Sequence, residues 1–173
     1  MESVSGKLLI AAPSLGDWFH RSVLLVVEHA DEGAFGIVLN RPSETTVAEA
    51  APELAPLGGE GIVHVGGPVA PQAAVALAEF EHPDQAQRIV VGDVGLVDLE
   101  RDDNEVRRVR IYAGYAGWGG GQLDSELEQE GWIVDDMRPE DPFTDGDLWA
   151  IALRRMGPEY ALVARMPADP SMN

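Results

Sequence analysis

Two arginines, a serine and an asparagine are the side chains of this 173-residue sequence best suited to holding a polar or anionic ligand. Arg21 and Ser22 stand at the start of the apolar run SVLLVVE (22–28), and Asn40 and Arg41 close the run FGIVLNR (35–41). Asp31, Glu32 and Gly33 between the runs have turn chemistry. A hairpin centred near Asp31 pairs positions whose numbers sum to about 62, which sets Ser22 opposite Asn40 and Arg21 opposite Arg41. Arginine offers a planar donor fork, and the two smaller groups fix the orientation of what it binds. The same four groups can equally tie down strand ends and pair with nearby carboxylates.

A nucleophilic triad of Ser22, His29 and Asp17 fails on spacing. Seven residues of strand at ~3.3 Å each separate Ser22 from His29 by roughly 23 Å and turn them to opposite faces. The stretch GYAGWGGGQL (114–123) has five glycines between Gly114 and Gly121 and reads as a shaped loop leading into a helix. A phosphate loop needs a Lys and a hydroxyl after its last glycine, whereas Gln122, Leu123 and Asp124 follow here. The loop therefore reads as packing, with a groove lined by Tyr115, Trp118 and Gln122 as the binding alternative. His20, His64 and His82 have no partner at metal-ligand spacing, and Asp141, Asp145 and Asp147 lack the calcium-loop pattern, so they read as a surface acidic loop. Neither a metal nor a cofactor is expected.

The elements that position these groups follow from pattern and punctuation. Strands are expected over 8–12, 22–28, 35–41, 61–65, 89–91, 96–99, 106–112, 132–134 and 160–166. Residues 42–60, with three prolines, read as a loop holding one short helical turn; Gly66 and Gly67 read as a turn. Helices are expected from Pro71 through Ala73–Glu79, over Leu123–Leu127 with Glu126 facing solvent, and over Leu148–Met156. An early hairpin and irregular alternation of strands and helices point to a mixed α+β domain rather than a doubly wound parallel sheet.

Twelve basic against thirty acidic side chains give a net charge of −18 with no basic arm or acidic tail, which argues against nucleic acid or an anionic membrane as partner. Arg107, Arg108 and Arg110 are the main basic run, and the acidic turn at 100–105 is placed to neutralise them. The absence of Cys removes disulfides, thiolate nucleophiles and Cys-ligated zinc. One domain spanning 1–173 fits the length, and the lack of a leader or an apolar span of ~20 residues points to a soluble cytoplasmic protein.

The segments GKLLIAAP (6–13), HRSVLLVVEH (20–29), GAFGIVLNRP (33–42), GGPV (66–69), GYAGWGGGQL (114–123) and ADPSMN (168–173) together resemble the YqgE/AlgH family of bacterial proteins. That resemblance implies an α+β fold with a bifurcated mixed β-sheet that includes a small closed barrel, surrounded by helices. It implies little chemistry, because the family's label of transcriptional regulator comes from genetics rather than from a known DNA-binding surface. Three positions depart from the family pattern. Asp17-Trp18-Phe19 is one residue shorter than the usual DxxF, Val27 stands where some relatives have Cys, and the Leu-His that often follows GGPV is missing. The Val27 position removes a thiol-based redox role. The reading is a regulatory or binding protein for an unknown protein or a small polar or anionic ligand, using the Arg21/Ser22/Asn40/Arg41 cluster and the Gly-Tyr-Ala-Gly-Trp loop. An enzyme acting on a small polar or anionic substrate is the alternative, and direct transcriptional regulation through DNA, which the charge disfavours, is the third.

Overall fold

A computed structural model describes residues 2–58 and 60–166; the motif ADPSMN lies outside the described residues. Ten strands are arranged as β1 (Lys7–Ala11), β2 (Val23–Ala30), β3 (Gly33–Val38), β4 (Pro42–Thr46), β5 (Ile62–Val65), β6 (Val69–Phe80), β7 (Arg88–Val91), β8 (Val94–Leu96), β9 (Val106–Gly119) and β10 (Trp132–Asp136). Five helices, α1 (Val47–Ala50), α2 (Ala55–Gly58), α3 (Gln122–Glu128), α4 (Leu148–Arg154) and α5 (Pro158–Ala164), cover the sheet. The strand order is β10-β1-β2-β3-β9-β6-β8-β7, and a side branch, β5 with β4, joins β9. All pairs are antiparallel except β5 with β9, so this is a mixed α+β fold.

β9 exchanges neighbours along its length. Residues 106–115 pair with β6, whereas 116–119 pair with β3. The register with β6 breaks at Gly114, whose φ of 76° is open to glycine and strained for any other residue. Here the chain leaving β5 crosses β9 in backbone contact: a Cβ on Gly67 would lie 2.0 Å from the Tyr115 carbonyl carbon, and one on Gly114 would lie 2.5 Å from the Gly67 oxygen. Gly66 stitches the halves together, donating its N–H to Ala113 O and accepting at its carbonyl from Val38 N, both at 2.8 Å.

Apolar side chains alternate to both faces of β1 and β2, as a strand covered on two sides requires. Leu8, Ile10, Val23 and Leu25 enter a core shared with Leu77 and Tyr112 and capped by Trp149 and Leu153 of α4. Leu9, Ala11, Leu24 and Val26 enter a second core with Trp118, Leu123 and Trp132. A third, under α1 and the following turn, holds Val47, Val63, Ala76, Ala78, Phe80 and Ile111. Val27, at the position of the family's cysteine, is buried in the first core beside a bulge between Val26 and Glu28.

Five expectations from the sequence are corrected. Residues 73–79 lie in β6, not in a helix: the alanines favour helix intrinsically, but cross-strand pairing to β8 and β9, with Leu77 entering one core and Ala76 and Ala78 another, overrides that weak preference. Residues 114–119 continue β9 rather than forming a loop, since the glycines serve close approach rather than a turn. Residues 160–166 belong to α5 and the turn after it, a helix started by Pro158 and packed on α4. Residues 42–60 carry β4, α1 and α2. The sheet is open: β10 and β7 form its two ends and do not pair, so there is no small closed barrel, and α4 and α5 cover the shared core instead. Among the described residues, no helix is long and apolar enough to cross a membrane.

Gly67→Ala and Gly114→Ala are each expected to cost about 2–4 kcal/mol of stability by urea unfolding. Gly119→Ala, where a new Cβ meets nothing within 4 Å, is expected to change it by less than about 0.5 kcal/mol. Similar midpoints for all three would remove the crossing as the governing constraint.

Candidate functional site

At the open end of the β2–β3 hairpin the expected register holds, with Leu24 opposite Val38 and Leu25 opposite Ile37; the bulge shifts only the turn end. Asn40 closes this end. Its Oδ1 accepts from Val23 N and its Nδ2 donates to Arg21 O, both at 2.9 Å. Ser22 is buried, and its Oγ accepts from Arg41 Nη2 at 3.1 Å. Arg41 lies over the Trp18 ring at 3.9 Å, and burial lowers the pKa of its guanidinium from the ordinary value. Arg21, held at a φ of 59°, lies over the Trp149 ring at 4.4 Å and donates to Met166 O.

Trp149 and Trp18 pack against cores on opposite faces of the sheet. The two guanidiniums therefore stack on different faces and do not form one shared clamp. Ser22, Asn40 and Arg41 are brought together, while Arg21 joins them through its backbone alone. Among the described residues, neither Arg21 nor Arg41 has a carboxylate within ion-pair distance.

Tyr115, Trp118 and Gln122 do not line one groove. Strand alternation sends Trp118 into the second core and Tyr115 to the other face, where its ring meets Phe35 at 4.9 Å. Trp118 Nε1 donates to Glu126 Oε1 at 3.3 Å, and Trp132 Nε1 donates to the same oxygen at 2.9 Å. Gln122 accepts from Gly119 N and donates to Glu126 Oε2. Glu126, expected on the solvent side of α3, is thus turned inward as the acceptor for two indoles.

His29 sits far from Ser22, as strand spacing requires. Its Nδ1 accepts from Val4 N at 3.0 Å, and its Nε2 lies 2.9 Å from Asp124 Oδ1, a contact not aligned as a hydrogen bond. The acidic segment near 141–147 is not simply solvated surface. Asp141 is 1% exposed and holds Arg155 through two bonds of 2.7 and 2.6 Å, Asp147 caps α4, and Asp145 reaches Arg110. Arg107 pairs with Glu81 and Asp93, and Arg108 with Glu79, so β6 and the turn before β8 neutralise the basic strand rather than the turn at 100–105. Among the described residues, no cluster of His, Asp and Glu is placed to hold a metal.

His64 is the residue that spacing passed over. It is 5% exposed, its Nδ1 has no hydrogen-bond partner, and it lines a cleft of about 360 Å³ with Arg110 and Asp145. Burial, reinforced by the Arg110 charge, pushes its pKa down to about 4, against weaker pulls from the Ile62 backbone and Asp145. Its neighbours come from β9 and from a segment some eighty positions along the chain, so only the buried position of a His in an otherwise apolar strand could have signalled it.

The AlgH-like family model matches residues 8–161. The chain belongs to the AlgH-like family. A UPF0301 protein of Streptomyces coelicolor is 42% identical over all of this chain and 97% of its own length, and one of Mycobacterium tuberculosis is 41% identical over 98% and 90%. Among solved structures, a crystal structure of a Corynebacterium diphtheriae protein aligns at a TM-score of 0.86 with 28% identity, covering 95% of this chain and 93% of that one. The solution structure of AlgH from Pseudomonas aeruginosa aligns at 0.73 with 27% identity, covering 95% of each. These AlgH-like structures share the mixed α+β fold described above.

The His64 shift sets a pH dependence. Because the folded pKa lies below the unfolded value, the unfolded state takes up the proton first, and stability falls as pH drops from about 6.5 to about 4. Arg110, Asp145 and Glu60 face the cleft around it, and Tyr112 packs beside it. Urea unfolding of wild type and His64→Gln across this window is expected to show the wild type losing more stability toward acid. Parallel pH profiles would contradict the assignment.

Proposed function

We propose that this AlgH-like chain is a binding protein with a regulatory role, and that it takes a small polar or anionic ligand at the sheet end where Arg41 lies on Trp18. One observation carries the reading. In a chain with thirty carboxylates, the Arg41 guanidinium is partly buried yet has no carboxylate partner among the described residues. Its contacts are an indole face and the Ser22 hydroxyl. Stacking on the ring leaves in-plane N–H groups of the fork for a ligand's oxygens. The contacts this guanidinium makes among the described residues, an indole face and a hydroxyl, bind and orient and include no titratable base, so a binding role is preferred to an enzymatic one. Asn40 serves by holding the strand end that carries Arg41.

Direct duplex DNA binding is disfavoured by the ion pairs that occupy Arg107, Arg108 and Arg110. A gel shift at low ionic strength is expected to show no complex, and a tight complex that weakens steeply with salt would overturn that expectation.

Titration with inorganic phosphate, followed by NMR at the Trp18 indole and the Arg41 Nε–H, is expected to shift both signals. Arg41→Gln is expected to abolish the Trp18 response while leaving the circular dichroism spectrum and the other tryptophan signals in place. Binding that survives in this folded variant, or phosphate without effect on Trp18, would reject the site.

A further inference from the structure

The cleft beside His64 is separate from the Arg41 site and has a different chemistry. Its walls are Val47, Ile62, Val109 and Ile111, and its polar groups are His64, Arg110 and Asp145 with Glu60 at the mouth. We propose that this cleft binds a small monocarboxylate with a short apolar body, its carboxylate held by Arg110 and the His64 imidazole and its body lying against Ile62 and Val109.

Three features of the site support this. First, His64 is more than nine-tenths buried and lines the cleft, with its Nδ1 unpartnered. A buried polar atom left without a partner costs free energy that a ligand hydrogen bond recovers. The low His64 pKa means that the ring is neutral near pH 7 and can donate from one nitrogen.

Second, Arg110 is preorganised. Its side chain is only 13% exposed, and its Nη1 is fixed by the carbonyls of Pro142 at 3.0 Å and Thr144 at 3.3 Å. Among the described residues its only carboxylate contact is from Nη2 to Asp145 Oδ1 at 2.9 Å, and the Asp145 side chain is 94% exposed. An exposed carboxylate on a buried guanidinium is a weakly held occupant that a ligand carboxylate can replace.

Third, the surroundings select among anions. Glu60, Asp145 and the overall charge of −18 penalise a dianion, while the single Arg110 guanidinium matches one carboxylate. The volume of about 360 Å³ lies at the small end of ligand pockets, and apolar walls favour a ligand with a hydrocarbon portion.

The probe is sodium pentanoate, titrated at fixed pH 7 into the full chain with ring-labelled histidine and followed by NMR. The His64 ring signals are expected to shift saturably, with pentan-1-ol and inorganic phosphate each producing at most a weak response. Asp145→Asn removes the competing carboxylate from the surface and is expected to tighten pentanoate binding by about two- to fivefold. His64→Gln is expected to weaken binding when the shifts of Val109 and Ile111 methyl groups are followed instead. Arg41→Gln is expected to leave pentanoate binding unchanged, so failure of the phosphate site and failure of this one are distinguishable. A His64 signal indifferent to pentanoate, an equal response to the alcohol or to phosphate, or an unchanged affinity in Asp145→Asn would overturn the proposal.

Discussion

Two stretches of backbone pass in contact where the segment 66–67 crosses β9, and the rest of the molecule is arranged around that contact. With a prospective Cβ on Gly67 at 2.0 Å from the Tyr115 carbonyl carbon, no side chain fits on that side, and Gly114 meets the Gly67 oxygen from the other. The crossing allows one long strand to serve both halves of the sheet: β9 pairs with β6 as far as Tyr115, its register broken at Gly114, and with β3 from Ala116 onward. Both candidate sites hang from it. His64 lies two residues before Gly66, Arg110 and Tyr112 lie just before Gly114, and Trp118 follows on the other side. Val65 N also donates to Arg41 O at 2.7 Å, so the strand carrying Arg41 is bound through its backbone to the strand carrying His64.

A second organising group is Glu126. Its carboxylate takes indole N–H groups from Trp118 and Trp132, two rings 6.5 Å apart. Trp132 meets Phe19 at 5.7 Å, Phe19 meets Trp18 at 5.1 Å, and Trp18 carries Arg41. Edge-to-face contacts of this kind are modest individually but fix ring orientation. The helix that follows the glycine-rich stretch thereby reaches the sheet end by a chain of rings, and Trp118 acts on that end as packing rather than as a ligand surface. On the opposite face, Asp141 and Arg155 form a buried pair. Such pairs are weak evidence for stability, but this one anchors the segment whose carbonyls position Arg110.

The hairpin was legible in the sequence to the level of register, because β-branched runs on both sides of an Asp-Glu-Gly turn leave few other pairings. Its one error, the shift past Val27, comes from a bulge that no residue type announces. Family membership was legible from the ordered motifs. β6 was not, because APQAAVALAE has the composition of a helix and its strand state comes from partners far along the chain. The role of the glycines in 114–119 was misread for a related reason: a glycine that permits another backbone to approach looks, in one dimension, like a glycine that permits a turn. The helix α5 was lost because seven residues with two aliphatic pairs fit either period. The divergence of Arg21 and Arg41 followed from a left-handed φ at Arg21, a conformation its residue type does not suggest.

Net charge is usually read as a statement about partners, but here it also interprets single side chains. Thirty carboxylates mean that counter-ions are plentiful, so an arginine without one is held away from them by geometry rather than by scarcity. On β9 the arginines face carboxylates across the strand, and their fields cancel locally. At the sheet end, Arg41 is turned inward over Trp18, where it gives up solvent on one ring face and keeps its edge donors. Screening confines the repulsion of anions by the acidic surface to the Debye length of about 8 Å, so capture at close approach depends on short-range donors already in place. That condition favours small ligands with one concentrated negative group, which can pass the repulsive exterior at low cost and then pair with a guanidinium that has a hydroxyl but no carboxylate as partner among the described residues. It disfavours extended polyanions, whose remaining charges would stay in contact with the acidic surface. At the proposed sites, discrimination by ligand size and charge would therefore come from the whole chain, and affinity from a few fixed donors.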